Sequence, residues 1–347
     1  MPSVKVNGVK INFIQLECES GKYCEDLVMV HGLATNLAFW YLRHAPAFSK
    51  RYKVTLYDLR GHGRSSMTNS GYTAKNMAVD LRQLLEHLGI ERAHFVGHSF
   101  GGNVALALAS LDAARFNSLM LIDTHISAVR RLGNKKKWEF GEKVQQIFNK
   151  NNIDINVNEP YFGYKLLNAV ATMQIQNIEI SPEVEELLRP LMWKKGIRTV
   201  TQWLKLINTT EAEKELMSDD GLLLNRLRML RFPILAMYGE HSQAMLTGEQ
   251  LLKLWPHADF RRIREAGHFF PITRPSEFME NCREFWKGAL VNKLSRRKGD
   301  SNQRYFRSNR YYVRDDKWFF DTRESIKKGP FENLNEAKEH LLSQLFC

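Results

Sequence analysis

The sequence predicts an α/β fold, a mostly parallel sheet with helices on both faces. Three observations predict it. Short apolar runs recur along the first 290 residues, bounded by Gly, His or Asp, as strands buried on both faces are. Helix-like stretches alternate with these runs. From Asp123 to Arg231 the alternation stops and only amphipathic helical patterns remain, which reads as a helical cap inserted after strand six. In chain order, the strand-like runs are Lys10–Leu16, Leu27–Val30, Val54–Tyr57, His94–Val96, Leu119–Ile122, Ile234–Met237 and Phe260–Ile263. Between them lie Asn36–Ser49, Thr73–Leu88, Gly101–Leu111, Gly248–Trp255 and Pro275–Lys287, all helix-like. Within the cap the helical stretches are Trp138–Asn149, Tyr164–Gln174, Pro182–Met192 and Ile197–Ile207. It is rich in Trp138, Phe140, Phe148, Tyr161, Phe162, Tyr164, Trp193 and Trp203. Most of these are expected to form its core and a few to face a cavity.

The sheet pattern ends near Leu290. We therefore divide the chain into a main domain, 1–290 (cap about 124–230), a basic linker, 291–303, and a small module, 304–347. Tyr305-Phe306, Arg310–Val313 and Lys317–Phe320 read as strands, Gly329-Pro330-Phe331 as a turn and Leu334–Leu345 as a helix. The expectation is a β-β-β-α module. It resembles small bacterial accessory domains with a Trp…Arg-Glu…Gly-Pro-Phe pattern.

Composition bounds the function. The chain has 347 residues, 44% hydrophobic and 25% charged, enough apolar material for a sizeable core. No run reaches 18 apolar residues, and the start lacks a charged segment followed by an apolar one. Neither a membrane span nor a secretory signal is expected. Cys18, Cys24, Cys282 and Cys347 show no C-x-x-C or zinc spacing, so reduced thiols in a cytoplasmic protein are the simplest reading. Net charge is +12. From Lys293 to Arg314 there are eight Lys or Arg against one acid, Asp300. That run reads as a solvated linker, or as a patch for an acidic partner. Tyr305, Phe306, Tyr311 and Tyr312 beside it are expected to form the module's core, so nucleic-acid binding is not expected. Nothing indicates a metal, nucleotide or flavin site, and no cofactor is expected.

The chemical signal lies at Gly97-His98-Ser99-Phe100-Gly101-Gly102, directly after an apolar strand and before an Ala- and Leu-rich helix. This G-x-S-x-G spacing puts a serine on a tight strand-to-helix turn. Bulk two positions before or after would collide with neighbouring elements. The hydroxyl is then exposed above the sheet at a helix N-terminus, where an N–H and a partial positive charge can stabilise an oxyanion.

With three further motifs the chain resembles the α/β-hydrolase superfamily over residues 1–290. Val28-Met29-Val30-His31-Gly32-Leu33 is similar to the family's oxyanion-hole loop, and Tyr57-Asp58-Leu59-Arg60-Gly61-His62-Gly63-Arg64-Ser65 to its architectural D-x-R-G-x-G-x-S turn. Ala266-Gly267-His268-Phe269-Phe270-Pro271 resembles its histidine loop. The resemblance implies Ser99 as nucleophile, His268 as base, and the backbone N–H groups of Leu33 and Phe100 as oxyanion donors. His31 and His98 are read as loop-packing residues. Relatives that open epoxides or displace halides use an aspartate nucleophile, whereas a serine suits attack on a carbonyl.

The sequence departs from the family at the third member. The usual position, three residues after Gly239, holds Ser242. Asp123, after strand six, is the preferred substitute and Glu240 the alternative, with an acid-free dyad as a third arrangement. The resemblance implies a serine hydrolase that cleaves a small-molecule ester or thioester through an acyl-enzyme. Two alternatives stand beside it. One is an acyltransferase or thioesterase acting on chains bound to an acidic carrier protein, suggested by the basic run. The other is a catalytically weak ligand-binding homologue, suggested by Ser242.

Overall fold

The computed structural model describes residues 2–21, 24–133, 138–159, 161–189, 191, 196–294, 311–314, 317–321 and 327–331. Among these, eight strands form one sheet: β1 Ser3–Val6, β2 Val9–Leu16, β3 Glu25–Val30, β4 Tyr52–Tyr57, β5 Ala93–His98, β6 Phe116–Ile122, β7 Ile234–Gly239 and β8 Asp259–Ile263. Their order is β1-β2-β4-β3-β5-β6-β7-β8. The β1–β2 and β2–β4 pairs are antiparallel and all others parallel. The central strands are nearly unbroken apolar runs because helices cover both of their faces. Leu27–Val30, Leu119–Ile122 and Ile234–Tyr238 are all buried. One covering helix, Phe100–Leu111, is buried almost all round, which explains why its sequence carries no polar face.

The sheet register sets up the site. His98 pairs with Ile122, and Ile122 with Met237, so the carboxyl ends of β5, β6 and β7 finish side by side. The residues that follow, Ser99 and Asp123, therefore emerge on one edge next to Gly239.

The turn after β4 is architectural, as its resemblance implied. Asp58 accepts hydrogen bonds from the Asn12 side chain, the Leu37 N–H and the Arg64 N–H at 2.7–2.8 Å. Arg60 reaches Asp80 in the helix Ala74–His87 with two bonds, 2.9 and 2.6 Å. Both side chains are buried, so neither can lose its partner cheaply. Arg60→Ala is expected to cost about 3–5 kcal/mol of folding stability. Urea unfolding measures it; a cost below 1 kcal/mol would show that water replaces the pair.

The cap runs from Ser127 to Leu227 as helices, in two parts. Val200, Trp203, Leu206 and Ile207 of helix Ile197–Thr209 join the main core. Val144, Ile147, Phe148, Val157, Phe162, Val170, Val184 and Leu188 form a separate cluster, the core of an outer lobe.

Several expectations are corrected. Asn36–Ser49 is two short helices, Ala38–Tyr41 and Ala45–Phe48, because Pro46 cannot continue a helix but suits the first turn of a new one. The edge strand β1 was not foreseen; it is short, and only pairing with β2 reveals it. Cys18 and Cys24 are not reduced thiols but a disulfide: the β2–β3 connection turns back and brings their Cα atoms to 6.3 Å. Cys282 is free and buried. In the small module β9 Tyr311–Arg314, β10 Lys317–Asp321 and β11 Lys327–Phe331 form an antiparallel sheet with β10 central. Gly329-Pro330-Phe331 thus lies in a strand rather than a turn; the edge position tolerates a residue without an N–H. Tyr305-Phe306, Trp193 and the expected helix 334–345 lie outside the described residues. Among the described residues no helix is long and apolar enough to cross a membrane.

Candidate active site

Ser99 sits between β5 and the helix Phe100–Leu111 with φ 54° and ψ −124°, a conformation that side chains other than glycine rarely adopt. Its N–H donates to the Ile122 carbonyl at 2.9 Å, which ties the bend to β6. The flanking glycines are required by close approach. A Cβ on Gly97 would come within 2.6 Å of the Gly102 Cα, and one on Gly101 would strike the Val30 and His31 carbonyls. A Cβ on Gly32 would lie 3.0 Å from the Ser99 Cβ, so the loop after β3 lies directly against the serine. Among the described residues, the backbone N–H groups of Leu33 and Phe100 have no protein acceptor.

Asp123 follows β6, also at positive φ (48°) and fully buried. Its Oδ1 accepts from the Gly239 N–H at 3.1 Å. Its Oδ2 accepts from the His268 Nδ1–H at 2.9 Å. The other candidate acid is elsewhere: Glu240 accepts from the Glu265 N–H at 2.9 Å and lies 3.7 Å from Arg262, at the surface. Ser242 is buried, and its hydroxyl accepts from the Ala244 N–H at 3.2 Å. It closes a turn and does not take the acid's place.

His31 and His98 are packing residues, as expected. In His31 the Nδ1–H donates to the Gly32 carbonyl and Nε2 accepts from the Leu59 N–H. Burial lowers its pKa to about 4, so it stays neutral. His98 donates from Nε2 to the His268 carbonyl at 3.0 Å and stacks on Phe39. Burial and the neighbouring His268 hold its pKa well below the usual histidine range.

Ser99, Asp123 and His268 are among the residues lining one cavity of about 1010 Å³ between the sheet and the cap. Leu33 and Phe100 line it as well. More of the cap aromatics reach it than expected: Trp138, Phe140, Phe148, Tyr161, Phe162 and Tyr164.

The loop 240–243 shows a role that the motifs did not reveal. Trp138 donates its indole N–H to the His241 carbonyl at 3.2 Å. Phe140 stacks on the His241 ring, centroids 4.3 Å apart. Gln243 donates to the Val157 carbonyl at 2.9 Å. The loop where the resemblance would place the acid here latches the outer lobe of the cap. Gln243→Ala removes one of these ties, worth about 1 kcal/mol. The expected result is a roughly fivefold higher KM for long-chain esters with a smaller change in kcat. Steady-state kinetics on short and long esters checks it; an equal rise for both would place the effect elsewhere.

Comparison with known proteins bears on the fold and the family. The family model described as alpha/beta hydrolase fold matches residues 27–275. A second, a domain of unknown function (DUF6316), matches residues 296–344. A RutD protein of Stutzerimonas stutzeri is 42% identical over 98 residues, 28% of this chain and 37% of that protein. The chain thus matches little more than a third of that relative's length. A RutD protein of Caulobacter segnis is 25% identical over 283 residues, 76% of this chain and 92% of that one. Both names assign carbamate hydrolysis provisionally. The solved enol-lactonase of Burkholderia xenovorans LB400 shares the fold at TM-score 0.57 and 23% identity, over 82% of this chain and all of that one. With its sheet order, its glycine-flanked serine bend and a family match across most of its length, this chain belongs to the alpha/beta hydrolase fold family.

Proposed function

We propose that this chain is a serine hydrolase that cleaves a carboxylic ester or thioester, lactones included, through an acyl-enzyme on Ser99. One observation carries the reading: the buried carboxylate of Asp123 bonds His268 at Nδ1, in the cavity that Ser99 also lines. That bond fixes the ring tautomer and leaves Nε2 as an acceptor. Nε2 takes the Ser99 proton as Oγ attacks the carbonyl. The tetrahedral oxyanion is held by the N–H groups of Leu33 and Phe100. The imidazolium, stabilised by Asp123, then protonates the leaving alkoxide or thiolate. A water activated by the same ring releases the acid and restores the hydroxyl.

The cavity supports an apolar substrate group of medium or large size. Phe140, Val144, Phe148, Phe162 and Leu188 are among its walls. Burying one methylene is worth about 0.8 kcal/mol, at most roughly fourfold in kcat/KM. Activity on p-nitrophenyl esters is therefore expected to rise from acetate to octanoate. A maximum at acetate, or no turnover of any member, counts against the reading.

A further inference from the structure

A second imidazole, unused in the steps above, lines the same cavity. His125 lies two residues beyond Asp123. It is solvent-exposed while Asp123, Thr124 and Ile126 around it are buried, and its open surface is cavity wall. We propose that His125 binds substrate, donating a hydrogen bond from Nε2–H to a second, uncharged oxygen, a ketone or amide carbonyl distinct from the scissile one. The inference deepens the hydrolase reading and rests on it for the identity of the scissile bond.

The residue is held as a positioned donor would be. Asn103, one turn along the helix that begins at Ser99, donates its amide to the His125 carbonyl at 2.8 Å. The ring meets Thr247, whose Oγ1 lies 3.3 Å from Nδ1. That oxygen already accepts from the Ile126 N–H at 3.4 Å, and Thr247 is fully buried. Its hydroxyl proton can then be given to Nδ1. A ring that accepts at Nδ1 carries its own proton on Nε2. Among the described residues Nε2 has no protein partner.

The ring is also uncharged. Desolvation by the surrounding cavity wall, reinforced by the charges of Arg130 and Arg131, lowers its pKa to about 4. A cationic ring would favour a carboxylate, whereas a neutral N–H favours a carbonyl oxygen. The surrounding charges are engaged with one another or with backbone: Arg131 pairs with Asp219 at 3.0 Å, and Asp220 accepts from the Ser127 N–H. A simple alkyl chain brought against His125 would strip water from the donor and return nothing.

The test compares keto esters with their alkyl counterparts. The substrates are p-nitrophenyl 4-oxopentanoate and 5-oxohexanoate against pentanoate and hexanoate, on the full-length protein. The parent is expected to favour at least one keto ester about three- to tenfold in kcat/KM. His125→Leu should bring that ratio close to one, and His125→Gln, which keeps a donor, should retain part of it. Thr247→Val, which leaves His125 in place but frees its tautomer, should lower the ratio as well. A residue that only packs would change both esters alike and leave the ratio intact, and that result overturns the proposal. So does a parent with no keto preference in either turnover or binding. A binding arm separates this from the reading beneath it. Calorimetry on Ser99→Ala with methyl 5-oxohexanoate and methyl hexanoate reads the same contrast without catalysis. If the parent hydrolyses neither ester yet Ser99→Ala shows a keto preference that His125→Leu abolishes, the hydrolase reading falls and His125 keeps its role.

Discussion

Asp123→Asn is expected to lower kcat for ester hydrolysis by about ten-thousand-fold with little change in KM. The size follows from the two bonds that the carboxylate makes. Oδ1 accepts from the Gly239 N–H at 3.1 Å, so an asparagine at this position must keep its carbonyl oxygen there. Its NH₂ group then faces His268 Nδ1, where Oδ2 now accepts at 2.9 Å. A donor facing Nδ1 drives the ring proton to Nε2, and Nε2 can no longer accept from Ser99. The charge that would stabilise the imidazolium is lost as well. Glu240→Gln is the matched control, because Glu240 binds the Glu265 N–H at the surface; its rate should stay within about twofold of the parent. Steady-state kinetics on one p-nitrophenyl ester decides the matter. A loss below tenfold for Asp123→Asn, or a large loss for Glu240→Gln, would remove Asp123 from the proposed mechanism.

The sheet explains how the proposed acid, Asp123, can meet His268 from the end of β6. β6 and β7 are parallel neighbours, with Ile122 beside Met237. The residue after β6 and the loop after β7 therefore reach the same histidine from adjacent strand ends. Moving the carboxylate one strand over costs the geometry little. It leaves Ser242, His241 and Gln243 free to make the turn and to hold the outer lobe of the cap. An aspartate at position 242 in an Asp123→Asn background should recover part of the lost rate for the same reason.

Much of this was legible in the residues. Gly97 and Gly101 follow from backbone approaching backbone, and such contacts leave a fixed spacing in the chain. The central strands and the helix after Ser99 were readable because burial on all sides makes their composition extreme. Between Asp123 and Glu240 the residues gave only a preference for Asp123. Both lie near the carboxyl ends of neighbouring strands, and only the register decides which one meets His268. β1 escaped notice because Ser3–Val6 is four residues long, with one buried side chain, and is defined by pairing. The latch and His125 depend on contacts between distant segments, Trp138 with His241 and Thr247 with His125, which no local pattern encodes.

Ser99→Ala is expected to abolish turnover, a loss on the order of a million-fold, together with all labelling by a fluorophosphonate probe. What remains should be the small acceleration that oxyanion donors give an attacking water. Activity loss alone does not separate a nucleophile from a serine that only packs, and stability does. Ser99 is held at φ 54° and ψ −124°, where a side chain costs roughly 1–3 kcal/mol. Its backbone is fixed from outside, by the bond to Ile122 and by glycine contacts on both flanks. Among the described residues, its hydroxyl makes no protein hydrogen bond whose loss would offset relief of that cost. Ser99→Gly should therefore raise the unfolding free energy by about 1 kcal/mol while removing all turnover. A packing serine would behave in the opposite way, since its removal would open a gap and destabilise the fold. Urea titration of the parent, Ser99→Ala and Ser99→Gly, read beside their ester kinetics, gives the answer. Lower stability in the glycine variant, or retained labelling in either, would show that the bend at position 99 is not there to hold a reactive group.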